Sequence, residues 1–261
     1  MKLFIPLISL VSSTPFQILN VLQKLSNVTT TTRSMLPHSY FSDVYFKNYG
    51  CWCNFGENGV GLMKKRPFEG KGLPKDSWDE ACRHLQWGYE CAMIKSEERA
   101  DPKICEPHLV EFKMPNQFNT LDEFFNGGGS MGFDGVFMCE WLNEGKSQCA
   151  IDACLVETSF VARAAELLAV KSVGLINPDP FDESLKHSEG FDMEGECVGQ
   201  LGSPGTLRTC CGEIPSVRPY VSDSESDREC CYNEVKRDPV VFSSKIYQCC
   251  TDFSVKMVGT C

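Results

Sequence analysis

The clearest amphipathic stretch of the chain is Asp76–Ala92, DSWDEACRHLQWGYECA, in which Trp78, Ala81, Cys82, Leu85, Tyr89 and Ala92 fall on one helical stripe. Pro74 precedes it, Asp76 is placed to cap it, and Asp79 lies in the first turn, where a carboxylate meets unpaired N–H groups. The pattern predicts a helix that buries this stripe. Cys139–Val170 predicts a second long helix, and Phe16–Leu25 a short one with Phe16, Leu19, Leu22 and Leu25 on one side. Between Lys95 and Met138 the chain reads as loop, with Pro102, Pro107 and Pro115. Gly127–Ser130 reads as a turn, because it lacks the lysine and serine of a phosphate-binding loop.

The pattern changes after the second helix. Asn177–Cys197 carries Asp179, Asp182, Glu183, Glu189, Asp192, Glu194 and Glu196 against Lys186, and repulsion between carboxylates predicts an extended acidic linker. Beyond it come Cys210-Cys211, Cys230-Cys231, Cys249-Cys250 and a final Cys261, an internal repeat of vicinal cysteines. With so few large apolar residues this part cannot bury much core, so disulfides are expected to hold it. The expected organisation is a signal peptide over 1–15, a helical domain over 16–176, the acidic linker over 177–196 and a di-cysteine module over 197–261. The expected fold class is mainly α and disulfide-rich, with a small irregular or β module at the C-terminal end.

Composition narrows the setting. Sixteen cysteines in 261 residues point to an oxidising compartment. Met1–Lys2, the apolar run Leu3–Val11 and Ser12–Ser13 have the form of a signal peptide, so the protein is expected to be secreted and extracellular. Zinc is the competing use of clustered cysteines, but adjacent pairs do not have the spacing of zinc ligands. No apolar run is long enough for a transmembrane anchor. A net charge of −10 disfavours nucleic acid and anionic membranes as partners and suits cations, basic proteins or mineral surfaces. Asn27-Val28-Thr29 forms an N-glycosylation sequon, and the basic trio Lys64–Arg66 reads as a solvated loop.

Three segments carry a resemblance: YGCWCNFG at Tyr49–Gly56, GKGLPKDSWD at Gly70–Asp79, and CAIDACLVET at Cys149–Thr158. Together with Cys82 and Tyr89 they resemble the secreted phospholipase A2 pattern over about Tyr49 to Ala165. The resemblance implies a pair of antiparallel helices and an N-terminal helix beside a substrate channel. It places Leu85 at the catalytic histidine, Gln86 at the calcium-binding aspartate, and Glu157 at the aspartate that orients the histidine. Tyr89 and Glu157 are then expected to remain hydrogen-bonded as a remnant network. Trp52, Asn54 and Gly56 would belong to a vestigial calcium loop, followed by an apparent insertion over Glu57–Glu69. The family disulfides missing here would have joined positions Gly88 and Val156, and Ala81 and Arg163, while Cys53–Cys82 and Cys139–Cys154 are implied to persist. His84 is rejected as the base, since one residue shifts a side chain about 100° around the helix. The fragments CCGEIPSVRPY, RECCYNEV and YQCCTDFSVKMVGTC resemble the di-cysteine repeats of galaxin-like proteins.

Phospholipase chemistry in that family needs a histidine to activate water and calcium to stabilise the oxyanion, and leucine cannot accept a proton. Three functions follow from the resemblance. One is a catalytically inactive matrix protein, similar to otoconin-type proteins, with matrix or mineral as partner. The second is a lipid- or receptor-binding pseudoenzyme, with an apolar slot lined by Leu85, Tyr89 and Phe160. The third is an active calcium-dependent phospholipase with a non-standard site. No cofactor is expected, and calcium is expected to bind only weakly, at many carboxylates of Asp179–Glu196 and Ser222–Glu229.

Overall fold

The computed structural model describes residues 49–53, 70–101, 103–107, 109–113, 135–172, 182–198, 208–222 and 227–261. The signal peptide, the helix at Phe16–Leu25, the sequon, Asn54, Gly56, Lys64–Arg66 and Gly127–Ser130 lie outside the described residues.

Helix α1 spans Ser77–Glu98, with the Asp76 carboxylate accepting from the Asp79 N–H at 2.8 Å as its N-cap. All six residues of the apolar stripe are buried, and the helix continues past Ala92 to Lys95 in its last turn. The expected single helix over Cys139–Val170 is two helices instead, α2 at Gly135–Leu142 and α3 at Gln148–Ser172. The break has local causes. Asn143 turns its side chain away from helix, donating to the Cys139 and Lys113 carbonyls at 2.9 Å and accepting from Lys113 N–H at 2.7 Å. Gly145 then takes φ of 78°, which an L side chain rarely adopts. The Cys139–Cys154 disulfide bridges this corner.

Helices α1 and α3 pack antiparallel. Trp78 meets Phe160 edge to face at 6.0 Å, Gly88 faces Val156, and Arg99 pairs with Asp152 at 3.2 Å, so numbers fall along one helix as they rise along the other. The core sits in this seam and under residues 49–53.

Residues 182–198 are not an extended linker. They form two 3₁₀ turns, Glu183–Leu185 and His187–Glu189, and a short helix α4 at Met193–Glu196. The repulsion expected to extend them is offset by use of the charges. Asp182 and Asp192 cap the turn and helix that follow them, while Lys186 and Lys75 pair with Glu183 and Glu196. The segment is fastened to the core by Cys51–Cys197, by Gly50 N–H donating to the Leu185 carbonyl at 2.9 Å, and by His187 Nε2 at 2.8 Å from the Gly50 carbonyl.

From Arg208 the described chain is three two-stranded antiparallel sheets: β1 (Arg208–Glu213) with β2 (Ser216–Val221), β3 (Arg228–Asn233) with β4 (Asp238–Ser243), and β5 (Tyr247–Cys249) with β6 (Val255–Met257). Successive residues of a strand point to opposite faces, so the two cysteines of a vicinal pair cannot serve the same neighbour. One therefore bonds backward and the other forward: Cys91–Cys210, Cys211–Cys230, Cys231–Cys249 and Cys250–Cys261 form a chain of links starting on α1. The first hairpin is also held to α1 by Lys95 Nζ on the Gly212 carbonyl at 2.9 Å and by an Arg208–Glu90 ion pair. With Cys53–Cys82 and Cys105–Cys149, all sixteen cysteines form eight disulfides. The described chain is a disulfide-rich mixture of helices and small hairpins rather than mainly helical, and none of its helices is long and apolar enough to cross a membrane.

Candidate functional site

Each residue singled out on α1 points into the core from a helix set by its cap and stripe. Leu85 is buried, and no group that could take a proton stands at its position. Gln86 is buried one residue on, where its amide is fully used. Its Nε2 donates to the Trp52 carbonyl, and its Oε1 accepts from Gly70 N–H at 3.3 Å. The side chain thus ties residues 49–53 to the chain at Gly70. Trp52 completes the tie by donating Nε1–H to the Gly72 carbonyl at 3.2 Å. Gly70 has to be glycine here, because a Cβ would lie 2.3 Å from the Trp52 ring.

Asp79 organises the same loop. Its carboxylate is fully buried and accepts N–H bonds from Trp52 at 2.6 Å, Cys51 and Lys75 at 2.9 Å and Cys53 at 3.3 Å. Burial pushes the carboxyl up, and the backbone donors pull it back toward its ordinary value. Beside it, Tyr49 donates its hydroxyl to Asp76 and accepts from Asp182 N–H at 3.0 Å. Burial and the Asp76 carboxylate both push the Tyr49 phenol up.

Across the seam, Tyr89 donates its hydroxyl to Glu157 Oε1 at 2.5 Å, with both side chains buried. The other oxygen, Oε2, is buried without a partner. Burial raises the Glu157 carboxyl to about 8, opposed by the Tyr89 bond, so at neutral pH this is mostly a protonated acid. Gly88 and Val156, each one residue before this pair, are face to face, and a Cβ on Gly88 would lie 2.6 Å from Val156 Cγ1. Cys53 is bonded to Cys82 and Cys139 to Cys154. A proton-accepting, metal-holding pair at Leu85 and Gln86 is therefore not what this geometry offers. Among the described residues no group of three or more His, Cys, Asp or Glu side chains is placed to hold a metal ion.

The outer side of α1 carries a second feature. Arg83 and His84 line a cleft of about 230 Å³ that also takes in Leu85, Phe160, Arg163 and Arg218. Glu80 joins the first two, at 2.6 Å from Arg83 and 2.9 Å from His84. Burial alone would raise the Glu80 carboxyl, but these two bonds outweigh it and hold it at about 2. Sequence reading missed this cleft and the fourfold role of Asp79, because both draw on residues from segments far apart in the chain. No protein-family model matches the chain, and no curated protein matches it.

Proposed function

We propose that this chain is a secreted, catalytically inactive phospholipase A2-like protein that acts as an acidic component of an extracellular or mineral matrix. The observation that carries the reading is Gln86, whose amide is spent on the Trp52 carbonyl and the Gly70 N–H, beside a buried Leu85. At the place where the resemblance expects a calcium carboxylate there is an internal brace, and where it expects a base there is a hydrocarbon. Loss of a general base alone removes roughly 10²–10⁴-fold of rate.

Several features support the phospholipase-like scaffold in this reading. The two long helices are antiparallel, Cys53–Cys82 and Cys139–Cys154 join the pairs that the resemblance implies, and Gly88 faces Val156 where a further disulfide is expected in the family. Eight disulfides suit an oxidising, extracellular setting. The net charge of −10 suits calcium-bearing mineral. Of the three residues expected to line an apolar slot in the pseudoenzyme reading, Leu85 and Phe160 line the cleft, while Tyr89 is buried against Glu157.

The test is a pair of assays on the full chain. Phospholipid vesicles incubated with protein and calcium should show no hydrolysis sensitive to chelator, and the protein should adsorb to calcium carbonate more strongly than a neutral secreted protein of equal size. Chelator-sensitive turnover that disappears in Leu85→Ala would overturn the catalytic half of the proposal. Partition onto vesicles without adsorption to carbonate would replace the matrix role with the pseudoenzyme one.

A further inference from the structure

The cleft on the outer side of α1 has a charge opposite to that of the chain. Four arginines line it, Arg83 from α1, Arg163 from α3, Arg218 from β2 and Arg237 from the β3–β4 turn, against the carboxylates of Glu80 and Asp238. Glu80 is already engaged by Arg83 and His84. Among the described residues, the Arg163 and Arg237 side chains have no acceptor or ion-pair partner, and that of Arg218 has no hydrogen bond, lying over the Trp87 ring within the field of Glu80. A chain with a net charge of −10 has carboxylates in excess to satisfy such groups, yet four arginines meet only two carboxylates among the residues that line this cleft.

Trp87 explains how the charges are held. The Arg83 guanidinium lies 4.5 Å from its ring centroid and that of Arg218 5.4 Å, so one indole carries two cations. Burial of the guanidinium and then the neighbouring Arg83 and Arg228 charges push Arg218 down, and the Glu80 carboxylate opposes them. Arg83 also presents a buried Nε with no acceptor. A buried donor without a partner is unfavourable. Guanidinium forks match the spaced oxygens of phosphate and sulfate and bind them through paired N–H donors. Leu85 and Phe160 supply apolar wall beside the charges, and a volume of about 230 Å³ admits a small molecule rather than a polymer or acyl chain.

We propose that this cleft binds a small phosphate or sulfate monoester, with Arg83, Arg163 and Arg218 around the oxyanion and Leu85 and Phe160 contacting its apolar end. A phosphate monoester, close to doubly charged at neutral pH, matches the excess of arginine over carboxylate at the cleft better than a singly charged sulfate monoester does. The site does not depend on the proposed matrix role, and it uses neither Gln86 nor the acidic segment.

Calorimetric titration of the full chain with phenyl phosphate, phenyl sulfate and inorganic phosphate tests it. The expected result is saturable binding of one phenyl ester per chain, tighter than inorganic phosphate, weakened about tenfold by Arg218→Gln and by Arg163→Gln. Arg163 is exposed, as is Arg218 apart from its partly buried guanidinium, so both variants keep the fold, and circular dichroism checks this. Lys103→Gln, an exposed lysine away from the cleft, should leave the affinity unchanged. No saturable heat with any of the three ligands, or an equal loss in Lys103→Gln, overturns the site. Equal affinity for phenyl and inorganic phosphate overturns the apolar contact. Vesicles containing phosphatidic acid identify the source: binding displaced by phenyl phosphate supports the same oxyanion site and assigns it to a lipid headgroup, whereas phenyl phosphate binding without vesicle binding supports a soluble ester.

Discussion

Tyr89 donates its hydroxyl to one oxygen of Glu157 across the seam between α1 and α3, while the other oxygen is buried with no partner. The carboxyl therefore titrates at about 8 in the folded chain against 4.5 for an ordinary glutamate. Between those values the native state keeps a proton that the unfolded state has lost, so this site's stabilisation is full below 4.5 and is lost as pH rises through 8. Each pH unit in that window is worth about 1.4 kcal/mol, a total on the order of a few kcal/mol. Glu157→Gln, which cannot ionise, should flatten the profile. Guanidinium unfolding at a series of pH values, with disulfides intact, measures it, and a wild-type stability that rises through the window contradicts the assignment.

Asp79 offers two oxygens to the N–H groups of Cys51, Trp52, Cys53 and Lys75. Asparagine would keep one acceptor and turn a donor toward the remaining N–H groups. Asp79→Asn is expected to cost about 3 kcal/mol, the scale of lost charge-assisted bonds with donors left buried. Hydrogen exchange should quicken at the amides of residues 51–53 and 75 while those of α3 stay protected; uniform exchange throughout the chain would contradict a local role.

Gly88 lies inside α1, where alanine is ordinarily favoured by about 1 kcal/mol. Here a Cβ would sit 2.6 Å from Val156 Cγ1, and overpacking of this kind costs about 1–3 kcal/mol, so contact decides the sign. Gly88→Ala should destabilise the protein, and Val156→Ala in the same chain should relieve it. The added Cβ would also lie 3.3 Å from the Val156 Cβ, near the spacing of natural bridges. The double variant Gly88→Cys with Val156→Cys should close a further disulfide, read as the loss of two hydrogens by intact mass.

Cys91–Cys210 spans 119 residues and joins α1 to the first hairpin, whereas Cys250–Cys261 spans 11 and closes only the last one. Long closures restrain the unfolded chain more, and removing a native bridge costs about 2–5 kcal/mol. Replacing Cys91 and Cys210 together by serine should speed tryptic cleavage after Arg208, because the Arg208–Glu90 pair and the Lys95 bond that remain are weak substitutes. Replacing Cys250 and Cys261 should leave that cleavage rate unchanged.

What the sequence by itself determined is what short-range physics controls. The burial stripe of α1 and its Asp76 cap involve residues a few positions apart, and periodicity and capping are local properties. The cysteine count likewise determines a redox setting without any knowledge of pairing. Tertiary structure alone decided the rest. Vicinal cysteines do not say which of the two bonds backward until strands place them on opposite faces. Asn177–Cys197 reads as self-repelling until Lys75 and the Gly50 backbone are brought to it and Cys51 reaches Cys197 across 146 residues. The break at Asn143 depends on Lys113, and the basic cleft on arginines drawn from four separate elements, so neither has a signature in any one window of the chain. Charge and hydrogen bonding act on whatever comes within a few ångströms, and only the folded chain sets those neighbours.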